Sequence, residues 1–237
     1  MEILQRIYRD RAEFYNCDPA LFSTPGILFI PEMKLSNALT LARVGSHLIL
    51  RYDPQFDLPI HQLENLDHSS TKHVMRFLED YMKGAGLSWN DPYIYHYKVD
   101  TCLPGNPAPV LDIQRFPESK LDELNAFFSA CSDDDLEEAD IILDKPDPVI
   151  FTGRIEGKIV AYVSHRYLSQ GIANMGILVH SGYRKKGYGS AMVRHNTIWC
   201  IENGKIPLYI VNQKNLGSMA LIKKLHYTPI IEAFRFD

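Results

Sequence analysis

The segment of the chain best suited to chemistry covers residues 179–189 and reads VHSGYRKKGYG. Three consecutive cations at 184–186 precede Gly187 and Gly189, and an amphipathic helical pattern follows. The first turn of a helix has main-chain N–H groups without acceptors inside the helix, and glycine lets a bulky anion approach them closely. Because cations and the helix dipole both attract negative charge, the segment predicts a binding site for a diphosphate.

The same residues also fit a simpler structure, a glycine-containing turn with solvated cations, because the pattern RxxGxG is short. Two other phosphate loops do not fit. A Walker-type loop needs GxxxxGK followed by Ser or Thr, and a dinucleotide fold needs GxGxxG with an acid about 20 residues further on. Neither spacing is present, so the flanking elements must decide between the two interpretations.

Hydrophobic periodicity predicts the elements that would position this segment. In chain order they are strand 110–115, helix 118–131, strands 148–155, 158–168 and 172–180, helix 187–203, strand 206–212, helix 216–225 and strand 227–236. The glycine in IEGK suits a hairpin turn, and the glycine in ENGK suits the end of a helix. The pattern predicts a mixed α/β sheet.

The N-terminal part predicts a separate α/β domain. Its elements are helix 2–15, strands 26–30 and 47–52, a helix with apolar positions from Val74 to Met82 and a terminating Gly84, and strand 93–99. The segment CLPGNPAP at 102–109 interrupts both helix and strand, because it has three prolines and a glycine. We therefore place one domain at 1–108 and a second at 109–237.

Composition limits the function. The chain has 237 residues, 46% of them hydrophobic, and a net charge of −4, which argues against nucleic acid as the partner. The N-terminus has no apolar signal-peptide centre, so we expect a cytoplasmic protein without a membrane segment. The four cysteines form no CxxC pair, and His61, Glu64 and His68 match no known ligand spacing. We expect neither a disulfide nor a metal.

The loop and its flanks resemble the GNAT-type N-acetyltransferase superfamily over about residues 110–237. Arg184 to Gly189 is similar to the family's acyl-CoA loop, which has Gln or Arg, two residues, Gly, one residue, and Gly or Ala. GILVHSGYR resembles the family's fourth strand, with Ser181 in place of the usual proline, and NLGSMALIKKLHY at 215–227 resembles a later motif. The resemblance implies a mostly antiparallel sheet flanked by helices. We interpret residues 1–108, whose family is unassigned, as an additional α/β domain that shapes the acceptor cleft.

The resemblance also implies an activity. Acetyl-CoA would bind where the fourth and fifth strands separate, and an amine would attack its thioester directly in a ternary complex. The amide of Leu178 or Val179 would stabilise negative charge on the carbonyl oxygen. The cofactor-binding residues implied are Ile177, Leu178, Val179, Arg184, Lys185, Lys186, Gly187, Tyr188, Gly189, Ser190, Asn215 and Ser218.

Several positions depart from the family pattern. The acid often found near the start of the fourth strand is replaced by Asn174, which could only orient a water molecule, and His165 is another candidate that equally suits a packed core. The family's usual tyrosine acid is replaced by Ile222, and the Gly-Phe that usually closes the last helix is replaced by His226-Tyr227. The catalytic base and acid therefore stay unassigned.

Three functions remain to be separated. The first is an N-acetyltransferase acting on a small-molecule or peptide amine, and the acidic run 133–140, predicted as a solvated loop, would attract a cationic acceptor. The second is a catalytically silent acyl-CoA-binding regulatory module, which the missing acid and base groups suggest. The third is a nucleic-acid binder that uses residues 184–186. Asn215 and Ser218 suit a helix cap as well as a cofactor contact, and a homodimer is left open.

Overall fold

The structure is a computed structural model, and it describes residues 2–33, 38–83, 86–104, 110–117, 120–141, 147–167, 169 and 171–237, with the main chain alone at 166 and 167. The helices are α1 (Glu2–Tyr15), α2 (Ile60–Glu64), α3 (Thr71–Tyr81), α4 (Leu121–Ser129), α5 (Asp133–Glu138), α6 (Tyr188–Glu202) and α7 (Leu216–Lys224). The strands are β1 (Gly26–Pro31), β2 (Leu39–Val44), β3 (His47–Tyr52), β4 (Tyr93–Tyr97), β5 (Asp112–Arg115), β6 (Val149–Ile155), β7 (Lys158–Tyr167), β8 (Ile172–Val179), β9 (Ile206–Asn212) and β10 (Thr228–Phe236).

The chain divides into two compact units that do not follow the sequence order. The first unit comprises Met1–His96, Ile210–Met219 and Pro229–Asp237, and the second comprises Tyr97–Tyr209 and Ala220–Thr228. The predicted boundary between residues 108 and 109 lies outside the described residues, as do the predicted helix end at Gly84 and most of the proline-rich linker. The boundary therefore stays a prediction.

The first unit is built on strands in the order β1-β3-β2-β10. β1 runs parallel to β3, whereas β2 is antiparallel to both β3 and β10. Leucines that alternate along β2 and β3 pack against α3, where Val74 and Leu78 are fully buried. The sequence patterns did not predict β2 or α2.

The second unit contains the strands in the order β5-β6-β7-β8-β9. Successive strands from β5 to β8 are antiparallel, and β9 is parallel to β8. Glu156 and Gly157 join β6 to β7 with left-handed φ angles of 49° and 79°, which suits the twist of a two-residue hairpin. The predicted mixed, mostly antiparallel sheet flanked by helices is confirmed.

Helices cover both faces of the sheet of the second unit. On one face α4 supplies Phe127 and Phe128, and the C-cap residue of α5 supplies Ala139, to a core that includes Leu178 of β8. On the opposite face α6 lies over β7 and β8, with Trp199 against the ring of His165. Within the described residues, no helix combines the length and the apolar character needed to cross a membrane.

The acidic run corrects one expectation, because Asp133–Glu138 forms the short helix α5 rather than a loop. Ser132 caps this helix, since its side chain accepts a hydrogen bond from the Asp135 N–H group. Acids in the first turn also interact favourably with the helix dipole. The local capping signal therefore outweighs the repulsion between neighbouring carboxylates.

Candidate functional site

The main-chain groups of β8 alternate between its two neighbours. The His180 N–H donates to the Val160 carbonyl at 3.0 Å, in the same antiparallel register that pairs Leu178 with Tyr162 and Gly176 with Ser164. Because hydrogen-bonded pairs recur at every second residue, Gly176 and Leu178 also direct their main-chain groups toward β7. These groups belong to the sheet.

The other set of main-chain groups points toward β9. The Ile206 N–H donates to the Gly171 carbonyl at 2.8 Å, so the odd-numbered residues of β8 face this side. The pairing of β8 with β9 stops at Asn174 and Leu208. Among the described residues, therefore, no strand pairs with the outward main-chain groups of Ile177 and Val179. This is the open edge of β8.

The loop after β8 brings the chain back to start α6. His180 begins it, because its Nδ1 accepts a hydrogen bond from the Gly182 N–H at 3.2 Å. Lys185 and Gly187 then take left-handed φ angles of 62° and 86°, and α6 starts at Tyr188. Gly187 is the N-cap residue and has no side chain to cap the helix, so the N–H groups of the first turn are left for an anion.

Gly189 places this helix start against the open edge. A Cβ atom at Gly189 would lie 3.2 Å from Leu221 Cδ1, 3.6 Å from Val179 Cγ2 and 3.8 Å from Ile177 Cδ1. The backbone of α6 therefore packs closely on the side chains of Ile177 and Val179, the two residues of β8 that pair with no described strand on the β9 side. An acyl-CoA fits these residues, because an anion-binding helix start lies beside an unpaired strand edge.

The three cations of the loop have different surroundings. The Arg184 Nε donates to the Val179 carbonyl at 3.0 Å, and its Nη2 pairs with Asp135 Oδ1 at 2.6 Å. This hydrogen bond from Arg184 lowers the pKa of Asp135. Lys186 Nζ lies 5.2 Å from the ring centroid of Tyr183, and both lysines are exposed. Arg184 is exposed too, at 44%, but its charge is balanced by Asp135, so Lys185 and Lys186 supply the loop charge that no described ion pair balances.

Asn215 caps α7, and Ser218 lies in the first turn of this helix. The Ser218 N–H donates to Asn215 Oδ1 at 2.8 Å, which is the capping alternative that the sequence had left open. Both residues lie in the first unit, whereas the loop at 184–190 lies in the second. Their role as cofactor ligands stays a prediction.

His165 is a core residue on the α6 face of β7. Its side chain is fully buried, its ring centroid lies 4.7 Å from that of Trp199, and its Nδ1 is 3.6 Å from Cys200 Sγ. Burial lowers the pKa of His165 to about 4. A neutral, enclosed imidazole of this kind is a weak base, which favours the packing interpretation.

Asn174 lies where β8 and β9 separate. Its Oδ1 is buried and has no hydrogen-bond partner among the described side chains and main chain. A buried acceptor left unpaired costs about 1–3 kcal/mol, so such a group needs an explanation. Ile222, which stands where the family has its tyrosine, is 1% exposed and has no proton to donate.

His226 performs the local task of the glycine it replaces. It takes a left-handed φ of 57°, and the N–H groups of His226 and Tyr227 bond the carbonyls of Lys223 and Ile222. This is the Schellman arrangement that usually has glycine. The buried Lys98 donates from Nζ to the His226 carbonyl at 3.3 Å and to Asp100 at 2.7 Å. Sequence reasoning had no signal for Lys98.

The side chains of His61, Glu64 and His68 do not share one site. His61 pairs with Glu64 at 3.4 Å on the surface, whereas His68 Nε2 lies 2.8 Å from the Leu63 carbonyl. Within the ranges that the structure covers, no three His, Cys, Asp or Glu side chains are grouped as metal ligands.

Comparisons with known proteins agree with this fold. The model of the acetyltransferase (GNAT) family matches residues 114–227. A GNAT-family acetyltransferase from Colwellia psychrerythraea superimposes with a TM-score of 0.54 at 13% identity, over 79% of this chain and 75% of that one. A search of curated proteins gave no match.

Two further solved structures are similar at lower TM-scores. A GNAT-family protein from Novosphingobium aromaticivorans has a TM-score of 0.47 at 17% identity, over 64% of this chain. A GCN5-related N-acetyltransferase from Kribbella flavida has a TM-score of 0.48 at 18% identity, over 70% of this chain. The chain spans 66% and 62% of the lengths of these two proteins. The family match shows that residues 114–227 of this chain form an acetyltransferase domain of the GNAT family.

Proposed function

We propose that the protein transfers an acetyl group from acetyl-CoA to a primary amine by direct attack in a ternary complex. One observation carries the proposal. Beyond Asn174 no described strand pairs with β8 on the side of Ile177 and Val179, and the first turn of α6 lies beside these residues at Gly189. An extended chain such as pantetheine can pair with an open strand edge, while a helix start binds the diphosphate attached to it.

Both main-chain and side-chain groups of the loop contribute to the binding of acetyl-CoA. The N–H groups of the first turn of α6 bind the diphosphate, because they have no acceptor inside the helix. The exposed Lys185 and Lys186 add positive potential. The residues proposed for this contact are Lys185, Lys186, Gly187, Tyr188, Gly189 and Ser190.

The strand end supplies the donor for the reacting carbonyl. Acetyl-CoA supplies a thioester, whose carbon is open to attack by a neutral amine and whose thiolate is a tolerable leaving group near neutral pH. Register supports Val179 rather than Leu178 as the donor, since the Leu178 amide is directed toward β7. An N–H group aimed at a developing oxyanion contributes about 3 kcal/mol.

The amine must be neutral to attack, although a lysine-like amine has a pKa of about 10.4. The acceptor atom Oδ1 of Asn174 is unpaired among the described residues and lies at the strand separation. We assign Oδ1 to accept a hydrogen bond from the N–H of the acceptor amine, or from the O–H of a water molecule that takes up the proton of the amine. Asp133, Asp134 and Glu137 on α5 are exposed and favour a cationic acceptor.

Binding and turnover test the proposal separately. Acetyl-CoA should raise the thermal unfolding temperature of the wild-type protein, as any ligand that binds the folded state does. Thiol release should then appear with members of a panel of polyamines, aminoglycosides and lysine peptides. Binding without turnover against the whole panel would support a silent acyl-CoA-binding module instead, and absence of binding would contradict the site itself.

A proline substitution tests whether the Val179 N–H stabilises the oxyanion. Val179→Pro removes an N–H that points away from β7, so the ladder between β7 and β8 keeps its bonds. We expect a loss of about 100-fold or more in kcat. Val179→Ala is the control, because it shortens the side chain and keeps the N–H. Equal rates in the two variants would show that another group stabilises the oxyanion.

A further inference from the structure

Arg184 joins two elements that are separate in the sequence. Its Nε donates to the carbonyl of Val179, the last residue of β8, and its Nη2 pairs with Asp135 on α5. The planar guanidinium has donors in fixed directions, so one side chain can make both bonds at once. Arg184 therefore connects α5 to the open edge.

The position of Asp135 is itself well determined. Its carboxylate is 15% exposed, and its N–H is bonded to the Ser132 hydroxyl in the N-cap of α5. At the other end of α5, the Ala139 carbonyl lies so close to β8 that a Cβ at Gly176 would come within 2.8 Å of it. Leu136 packs against the buried core on that face. Asp135 is thus held on a helix that is packed against β8.

We infer that Asp135 is a positioning residue for acetyl-CoA, which acts by holding Arg184 on the Val179 carbonyl. This inference rests on the proposed function. The hydrogen bond from Arg184 occupies the Val179 carbonyl, which is the last acceptor on the open edge. An incoming pantetheine therefore pairs with the Val179 N–H and with the main chain of Ile177. The bond also fixes the position of Arg184 in the loop, and with it the path of the chain toward Gly187.

The alternative is that Arg184 binds the phosphates of acetyl-CoA through its charge. The two roles differ in what they require of the side chain. In the positioning role a neutral donor at 184 retains part of the function, and the charge of Arg184 is already balanced by Asp135. In the phosphate role the positive charge of Arg184 attracts the phosphates. Loss of Asp135 would then strengthen the binding of acetyl-CoA, because Asp135 would no longer balance that charge.

Calorimetric titration with acetyl-CoA, below the unfolding temperature of every variant, separates the roles. We expect Asp135→Ala to raise the dissociation constant about 3- to 10-fold, the range for a partly exposed hydrogen bond between charged groups. Asp122→Ala is the control, because it removes the same charge from the first turn of the helix α4 at an exposed position. It should leave the affinity unchanged.

Substitutions at 184 complete the test. Arg184→Gln should weaken binding in the wild-type background and have little further effect in the Asp135→Ala background, since the two residues act through one bond. Arg184→Gln should also leave the salt dependence of binding as it is in the wild type, whereas Lys185→Gln should reduce it. An Asp135→Ala variant that binds as well as or better than wild type would overturn the inference, as would equal losses for Arg184→Gln in both backgrounds.

Failure of the proposed function would look different. In that case the wild-type protein itself would not bind acetyl-CoA. Urea denaturation would then still test the pair, because Asp135→Ala and Arg184→Ala should show non-additive losses of stability without any ligand. Additive losses would contradict the connection between α5 and β8.

Discussion

Asn174 and Leu208 form the last pair that β8 shares with β9. The strands separate directly after this pair, and the buried Oδ1 of Asn174 has no partner among the described residues. An unpaired acceptor and an open strand edge thus occur within the same few residues of β8. This coincidence is the basis of the first prediction.

Replacing Asn174 by leucine should separate stability from activity. The substitution removes a buried acceptor that has no partner, so the free energy of unfolding should stay the same or rise by about 1 kcal/mol. Activity should fall about 10- to 100-fold in kcat/KM, because the amine loses its hydrogen-bond acceptor. Urea denaturation and thiol release measure the two quantities.

The aspartate variant is the companion experiment. Asn174→Asp keeps the shape and introduces a carboxylate that can accept a proton, so its kcat should decline toward acidic pH with a titration that the wild type lacks. If Asn174→Leu loses stability and activity together, Asn174 is a structural residue and its proposed role is wrong.

Replacing Gly187 by alanine should weaken binding of acetyl-CoA by about tenfold or more. The left-handed φ of 86° makes alanine cost about 1–2 kcal/mol of stability, and the added methyl group restricts the approach of an anion to the start of α6. Gly204→Ala is the matched control, because Gly204 has a φ of 68° with open space around it. It should lose similar stability and no affinity, and a loss of affinity in both variants would contradict the site.

His165 should make the second unit sensitive to acid. The unfolded chain binds a proton to this imidazole below pH 6.5, whereas the folded chain does so only near pH 4. The free energy of unfolding should therefore decrease as the pH falls from 6.5 to about 4, by about 3 kcal/mol at most, and level off below that. Above pH 6.5 this contribution is constant.

The measurement is the slope of stability against pH in urea denaturation. His165→Gln should reduce the slope between pH 6.5 and 4.5, even if the variant is less stable at every pH. His61→Gln is the control, because its side chain is 99% exposed. If His165→Gln has the same slope of stability against pH as the wild type, groups other than His165 cause the acid sensitivity.

Replacing His226 by glycine should stabilise the protein. A non-glycine residue at a φ of 57° is strained, and glycine at this helix end removes the strain while it keeps the main-chain bonds of the motif. We expect a gain of about 0.5–1 kcal/mol, seen as a higher urea midpoint with an unchanged slope. His226→Ala retains the strain and should bring no gain. A stabilised alanine variant would point to the side chain instead.

The geometry of the loop that leads into α6 was predictable from the sequence for a local reason. Gly187, Gly189 and the cations at 184–186 lie within a few residues, and a helix start beside glycine has the same unpaired N–H groups in any fold. The element order of the second unit was predictable for a similar reason, because periods of two and of 3.6 residues are carried by neighbouring side chains. α6 and β9 begin and end within one residue of the predicted positions.

Only the tertiary structure identified the interaction partners of these side chains and strands. Asp135 and Arg184 are far apart in the chain, and an acidic run by itself indicates neither a helix nor an ion pair with the loop. The same holds for Lys98 and the His226 carbonyl, and for the point at which β9 leaves β8. His165 was a candidate base on the sequence and lies in the core, because burial depends on which helix covers β7. Spacing along the chain specifies local geometry, whereas the environment of a side chain is set by residues that only folding brings near.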